Sequence, residues 1–125
     1  MLKTILRRLD QNDRLGEKRK SEEEKKLLKI CNKAIYSNPK NPVAYFNRGN
    51  LNFKFGDYMN ALKDYSRAIR LNPEYLHAYH CRAIVKEKLS YYNGAISDYN
   101  LILKIDSSDG LAHKNKNIIL QKFIG

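Results

Sequence analysis

The sequence predicts an all-α fold, an array of helix-turn-helix pairs stacked side by side. Three observations predict it. The chain repeats itself every 34 residues, apolar residues recur at helical spacing inside each period, and no stretch alternates long enough to be a strand. A chain of 125 residues can form one domain and hide roughly two thirds of its unfolded surface. With 42% apolar and 30% charged residues it is expected to be a soluble globular protein rather than a disordered one.

Shifted by 34, segment 42–75 falls on 76–109. The identical pairs are Ala44/Ala78, Tyr45/Tyr79, Arg48/Arg82, Lys54/Lys88, Tyr58/Tyr92, Ala61/Ala95, Asp64/Asp98 and Tyr65/Tyr99. The same shift reaches backwards, setting Leu27, Leu28, Cys31, Ala34, Ile35 and Pro39 on Ala61, Leu62, Tyr65, Ala68, Ile69 and Pro73. Forwards it is weaker and sets Ala112 on Ala78. The expected organisation is a basic amphipathic segment 1–20, a half repeat 21–41, full units 42–75 and 76–109, and a capping helix 110–125.

Each helix has a local reason. Ser21 through Glu24 reads as a capping box ahead of Leu27 and Leu28, and Asn38-Pro39 stops that helix near Ser37. In 43–55, Ala44, Tyr45, Gly49, Leu51 and Phe55 mark a helix, which Gly56-Asp57 breaks, with Asp57 placed to cap the next one. That next helix carries Ala61, Leu62, Tyr65, Ala68 and Ile69 on one face and ends at Asn72-Pro73. The second unit repeats the plan, with Ser107 where Pro is expected.

The period and these residues resemble the tetratricopeptide repeat family. Tyr45, Gly49, Ala61, Tyr65, Ala68 and Pro73 carry the likeness in the first unit, and Tyr79, Ala83, Ala95 and Tyr99 in the second. The family pattern is W-x2-L-G-x2-Y, then A-x3-F, then P. Here Tyr stands for Trp, Arg48 and Arg82 for Leu, and Asn52 and Lys86 for the first Tyr. The resemblance covers 42–109 well, 22–41 less well and 110–123 weakly, and does not reach 1–20. It implies stacked helix pairs with a concave face lined by the first helix of each pair.

No catalytic signature is present: no G-x-S-x-G, P-loop, G-x-G-x-x-G or H-E-x-x-H. The chain is therefore read as non-catalytic, with no cofactor and no metal. His77, His80 and Cys81 are the one cluster that suggests zinc, yet no acid lies one turn away to complete a site. Their bland reading is groove-lining or half-buried helix residues. Cys81 likewise lacks an Asp or Asn to orient a His beside it as a nucleophile. Cys31 and Cys81 are too few for a disulfide framework, which fits a reducing, cytoplasmic compartment.

The expected functional surface is the concave face. Peptide contacts are assigned to Phe46, Asn47, Asn50, Phe53, Lys54, His77, His80, Ile84, Lys88 and Lys114. Apolar walls, amides that grip a backbone and lysines for acidic side chains suit a peptide groove. The competing reading puts Phe46, Phe53 and Ile84 in the core between helices. Some relatives hold a C-terminal carboxylate in a clamp of Lys and Asn, Asn, then Lys and Arg. Around Asn47 those positions fall on Asn12, Gly16, His77 and Cys81, which lack the charges, so such a clamp is disfavoured. The partner is expected to be a protein segment of acidic or mixed charge.

The net charge of +11 sits at the ends. Residues 1–41 hold 12 bases and 6 acids, residues 42–109 hold 9 and 7, and residues 110–125 hold 3 and none. Basic ends suggest an alternative role, a polyanion-binding adaptor for nucleic acid or an anionic surface. No apolar run approaches the roughly 20 residues of a membrane span. Leu2, Ile5, Leu6 and Leu9 with Lys3, Arg7 and Arg8 form a short basic amphipathic stretch, expected to cover the open end of the array. In the last helix Leu111, Ile118, Ile119, Leu120, Phe123 and Ile124 cannot share one face. Their surplus is expected to meet a second copy of the chain, giving a homodimer.

Overall fold

The computed structural model describes residues 21–124, and six helices are found among them. They are α1 (Glu22–Ser37), α2 (Pro42–Lys54), α3 (Tyr58–Leu71), α4 (Leu76–Lys88), α5 (Tyr92–Ile105) and α6 (Gly110–Ile124). The stretch at 2–9 and the positions Asn12 and Gly16 lie outside the described residues. Each helix packs on its neighbours in sequence, and α2 also touches α4. The result is an all-α solenoid in which α2 and α3, then α4 and α5, are complete pairs.

The turns are built the same way in every unit. Asn38, Asn72 and Asp106 end their helices in extended backbone, and each side-chain oxygen accepts from the amide two residues on, at 3.3, 3.1 and 3.1 Å. Asp106 thus makes the stop even with Ser107 in place of proline. The ring of the fourth residue of the following helices closes the same turn. Tyr45 and Tyr79 donate their hydroxyls to the carbonyls of Pro39 and Pro73, both at 2.9 Å. His113 Nε2 meets the Ser107 carbonyl at 2.9 Å in the corresponding place. The third unit therefore keeps the geometry although its sequence match is faint.

The core lies between helix layers. One cluster gathers Tyr45, Ala68, Ile69, Ala78, Tyr79, Ala83, Ala95, Tyr99, Ile102, Ala112 and Ile119. A smaller one joins Ala61, Tyr65 and Val85. α2 meets α3 closely at Gly49: a Cβ there would stand 2.9 Å from the Tyr65 ring. The α2–α3 turn places Gly56 at φ +79, and the α4–α5 turn places Ser90 at φ +62 in the equivalent position.

The departures from the family pattern form one device. Arg48 grips Asp64 through Nε and Nη2 at 2.9 and 2.7 Å, and Asn52 Nδ2 adds a third bond at 3.0 Å. In the next pair Arg82 grips Asp98 at 3.0 and 2.6 Å, and Lys86 Nζ lies 3.0 Å from the same carboxylate. The remaining Nη1 of each arginine reaches back to the preceding unit, Arg48 to Asn32 at 3.0 Å and Arg82 to Ser66 at 3.2 Å. One planar cation thus ties three helices.

Candidate functional site

The inner surface is made by the first helices of successive pairs, α2, α4 and α6. Its floor comes from the second helices. Tyr65 of α3 is almost fully buried, yet its hydroxyl emerges between α2 and α4 and donates to Asn50 Oδ1 at 2.6 Å. The Cys81 thiol lies near that hydroxyl. Tyr99 of α5 repeats this between α4 and α6, donating to Glu87 Oε2 at 2.6 Å, with Asn115 nearby. Burial raises the pKa of both phenols far above the ordinary range, so each remains a hydrogen-bond donor. Burial also raises the Cys81 thiol, which keeps it neutral at ordinary pH.

Two hollows follow along this surface. The first, about 250 Å³, is lined by Asn50, Phe53, Tyr65, Cys81 and Ile84 and is mostly apolar. The second, about 280 Å³, is lined by Ile84, Glu87, Lys88, Tyr92 and Lys122 and is mixed in character. Ile84 is the shared wall. An extended chain that places side chains in both would lie across α2, α4 and α6.

The residues singled out from sequence separate into three groups. Asn50, Phe53 and Ile84 line the first hollow, and Ile84 and Lys88 the second. Asn47, Lys54, His77 and Lys114 are exposed on the same helices without lining either hollow. Phe46 and His80 turn to the helix interfaces instead. Phe46 is half-buried with its ring 5.0 Å from Tyr75 and 5.8 Å from Tyr65, so it packs helices together. His80 Nε2 meets Asp109 Oδ2 at 3.0 Å, while its Nδ1 is buried without a hydrogen-bond partner. Among the described residues no three His, Cys, Asp or Glu side chains gather as a metal group.

Lys122 went unnoticed in the sequence, although the 34-residue shift points to it. Lys54, Lys88 and Lys122 share one register, whereas Lys114 takes the register of Phe46 and His80. All three lysines are exposed, and Lys88 and Lys122 face one hollow. Glu87, the acid between them, is engaged by the Tyr99 hydroxyl. The surface is therefore a row of cations beside an apolar hollow.

Residues 42–75 match the tetratricopeptide repeat family. No curated protein sequence matches the chain. Among solved structures, the first TPR of Spaghetti (RPAP3) bound to the HSP90 peptide SRMEEVD is similar with a TM-score of 0.75 and 24% identity, covering 82% of each chain. The second TPR domain of human RPAP3, in complex with the HSP70 peptide SGPTIEEVD, gives 0.68 and 24%, over 74% of this chain and 77% of that one. A tetratricopeptide repeat protein from Parabacteroides merdae gives 0.73 and 28%, over 80% of this chain and 39% of that one.

Proposed function

We propose that this tetratricopeptide repeat protein is a non-catalytic adaptor that holds an acidic or mixed-charge peptide segment of a partner in its concave groove. The observation that carries this reading is the apolar hollow of Asn50, Phe53, Tyr65, Cys81 and Ile84 set beside the Lys54, Lys88 and Lys122 row. An aliphatic or aromatic side chain fits the hollow, the Asn50 amide binds backbone, and the lysines attract carboxylates. The two peptide-bound RPAP3 neighbours hold acidic-ended peptides and support the peptide class. Affinity is modest, because ordering an extended peptide offsets much of the contact energy.

The test is selection from a random peptide library on the immobilised chain, followed by mapping. Selected sequences should combine acids with one large apolar residue and should lose binding to Asn50→Ala/Ile84→Asp. Binding that ignores those changes, and falls steeply with salt, belongs instead to the polyanion reading through the basic termini. Self-association through α6 is a second contact of this adaptor, favoured by its exposed Leu111, Ile118 and Phe123. A strict monomer by sedimentation at high concentration removes it.

A further inference from the structure

The two ends of the array are each half of a hairpin. α1 holds the place of a second helix, with no first helix before it among the described residues. α6 holds the place of a first helix, and no second follows it there. Alone among the described helices, α1 buries no residue. Ala61, Asp64 and Ala68 of α3, and Ala95, Asp98 and Ile102 of α5, are all buried. Shifted back by 34, these places on α1 hold Leu27, Ile30 and Ala34, and all three are exposed. α6 is bare on the matching side. Tyr45 and Gly49 of α2, and Tyr79 and Ala83 of α4, are buried, whereas His113 and Asn117 in the same register are exposed.

The two bare sides depart from the complete pairs in ways that fit each other. In the complete pairs a small residue on the first helix meets a large ring on the second: Gly49 stands against Tyr65, and Ala83 and Tyr99 hold the same places. On α6 and α1 those places hold Asn117 and Cys31, so the larger residue has moved to the first helix and the smaller to the second. A polar contact has likewise become an apolar one. Asn52 Nδ2 donates to Asp64, and Lys86 Nζ meets Asp98, both at 3.0 Å. Their counterparts are Leu120 and Ile30, carbon against carbon. Lys116 takes the place of Arg48 and Arg82 with no carboxylate opposite, and its long stem can cover Ile30 while the ammonium stays in water. Charge follows the same antiparallel order. The last turn of a first helix lies beside the first turn of its second, which sets Lys122 near Glu22, Glu23 and Glu24.

We infer that α6 of one copy and α1 of the next form a complete hairpin, so that copies join head to tail into one longer solenoid. The joint rests on the self-association through α6 and gives it a definite mate. It also replaces a closed dimer by an open chain, because a contact between two different faces leaves one of each free at every step. Disulfide trapping tests it. In the complete pair a Cβ on Gly49 would stand 3.2 Å from the Asp64 Cβ, near the spacing a disulfide needs. In a Cys31→Ser/Cys81→Ser background, Ile30→Cys chains mixed with Asn117→Cys chains should give a dimer of one of each on mild oxidation. Chains carrying both changes should give a ladder of dimer, trimer and longer. Both sites are exposed, so the changes spare the core, and maleimide labelling counts the free thiols. By sedimentation the native chain should grow past the dimer as concentration rises, and Ile30→Lys/Ala34→Lys should stay a monomer. Asn117→Cys chains that link only to one another assign α6 to a symmetric dimer; they overturn the inference while self-association through α6 stands. Thiols that react with maleimide yet link to nothing overturn it too, as does association that survives Ile30→Lys/Ala34→Lys. The peptide groove is untouched by any of these outcomes.

Discussion

Arg82 and Asp98 form a two-point bridge across the α4–α5 hairpin, Nε to Oδ2 at 3.0 Å and Nη2 to Oδ1 at 2.6 Å. The Asp98 side chain is 1% exposed and also meets Lys86 at 3.0 Å. Removing the carboxylate leaves two cations facing each other in a half-dry place. Asp98→Ala should cost about 3–5 kcal/mol. Asp64→Ala should cost about 1–3 kcal/mol, because Arg48 is more exposed than Arg82 and Asn52 carries no charge. Urea titrations that keep the slope and move the midpoint measure both. Equal losses, or a loss below about 1 kcal/mol at Asp98, contradict this ordering.

Ser90 holds φ +62 where the first unit has Gly56 at φ +79. A side chain there strains the left-handed backbone, and glycine does not. Ser90→Gly should raise stability by about 0.5–1 kcal/mol, and Gly56→Ala should lower it by a similar amount. Thermal unfolding of the two variants beside the native chain gives the answer; a destabilised Ser90→Gly contradicts the strain.

The bond from His80, followed by that from the Ala112 amide, holds the Asp109 carboxyl below the usual carboxylate range. A depressed carboxylate stabilises the fold above its unfolded pKa of about 3.9, and that share is lost as pH falls through the folded value. The stability gap between native chain and Asp109→Asn should be full at about pH 5 and should shrink steadily below about pH 4. Denaturant titrations at several acidic pH values check it. A gap that stays constant into strong acid contradicts it.

What the sequence made legible is whatever recurs in kind. Arg48/Arg82 and Asp64/Asp98 recur as identical pairs with sixteen residues from each Arg to its Asp, and the structure joins both. The His80–Asp109 bond was not expected, because its counterpart one unit earlier is the ring pair Phe46–Tyr75. The place repeats while the chemistry changes from ring packing to a hydrogen bond. Phe46 was open between groove wall and helix interface for the same reason: a helix pattern shows that a ring is on the inner half, not which of two neighbours covers it, and its ring lies against Tyr65 and Tyr75. Lys122 sat in the faintest unit, where identity had faded but register had not.

Under the proposed function, the Lys54, Lys88 and Lys122 row sets the charge of the peptide bound in the groove. Anisotropy titration tests it with a selected acidic peptide and a copy in which each Glu and Asp is changed to Lys. The native chain should bind the acidic form at least about tenfold more tightly, a difference of roughly 1.4 kcal/mol. Lys54→Glu/Lys88→Glu/Lys122→Glu should reverse that order, and the native preference should narrow as salt rises. The same preference in the native chain and the charge-reversed variant, at every salt concentration, would contradict the account.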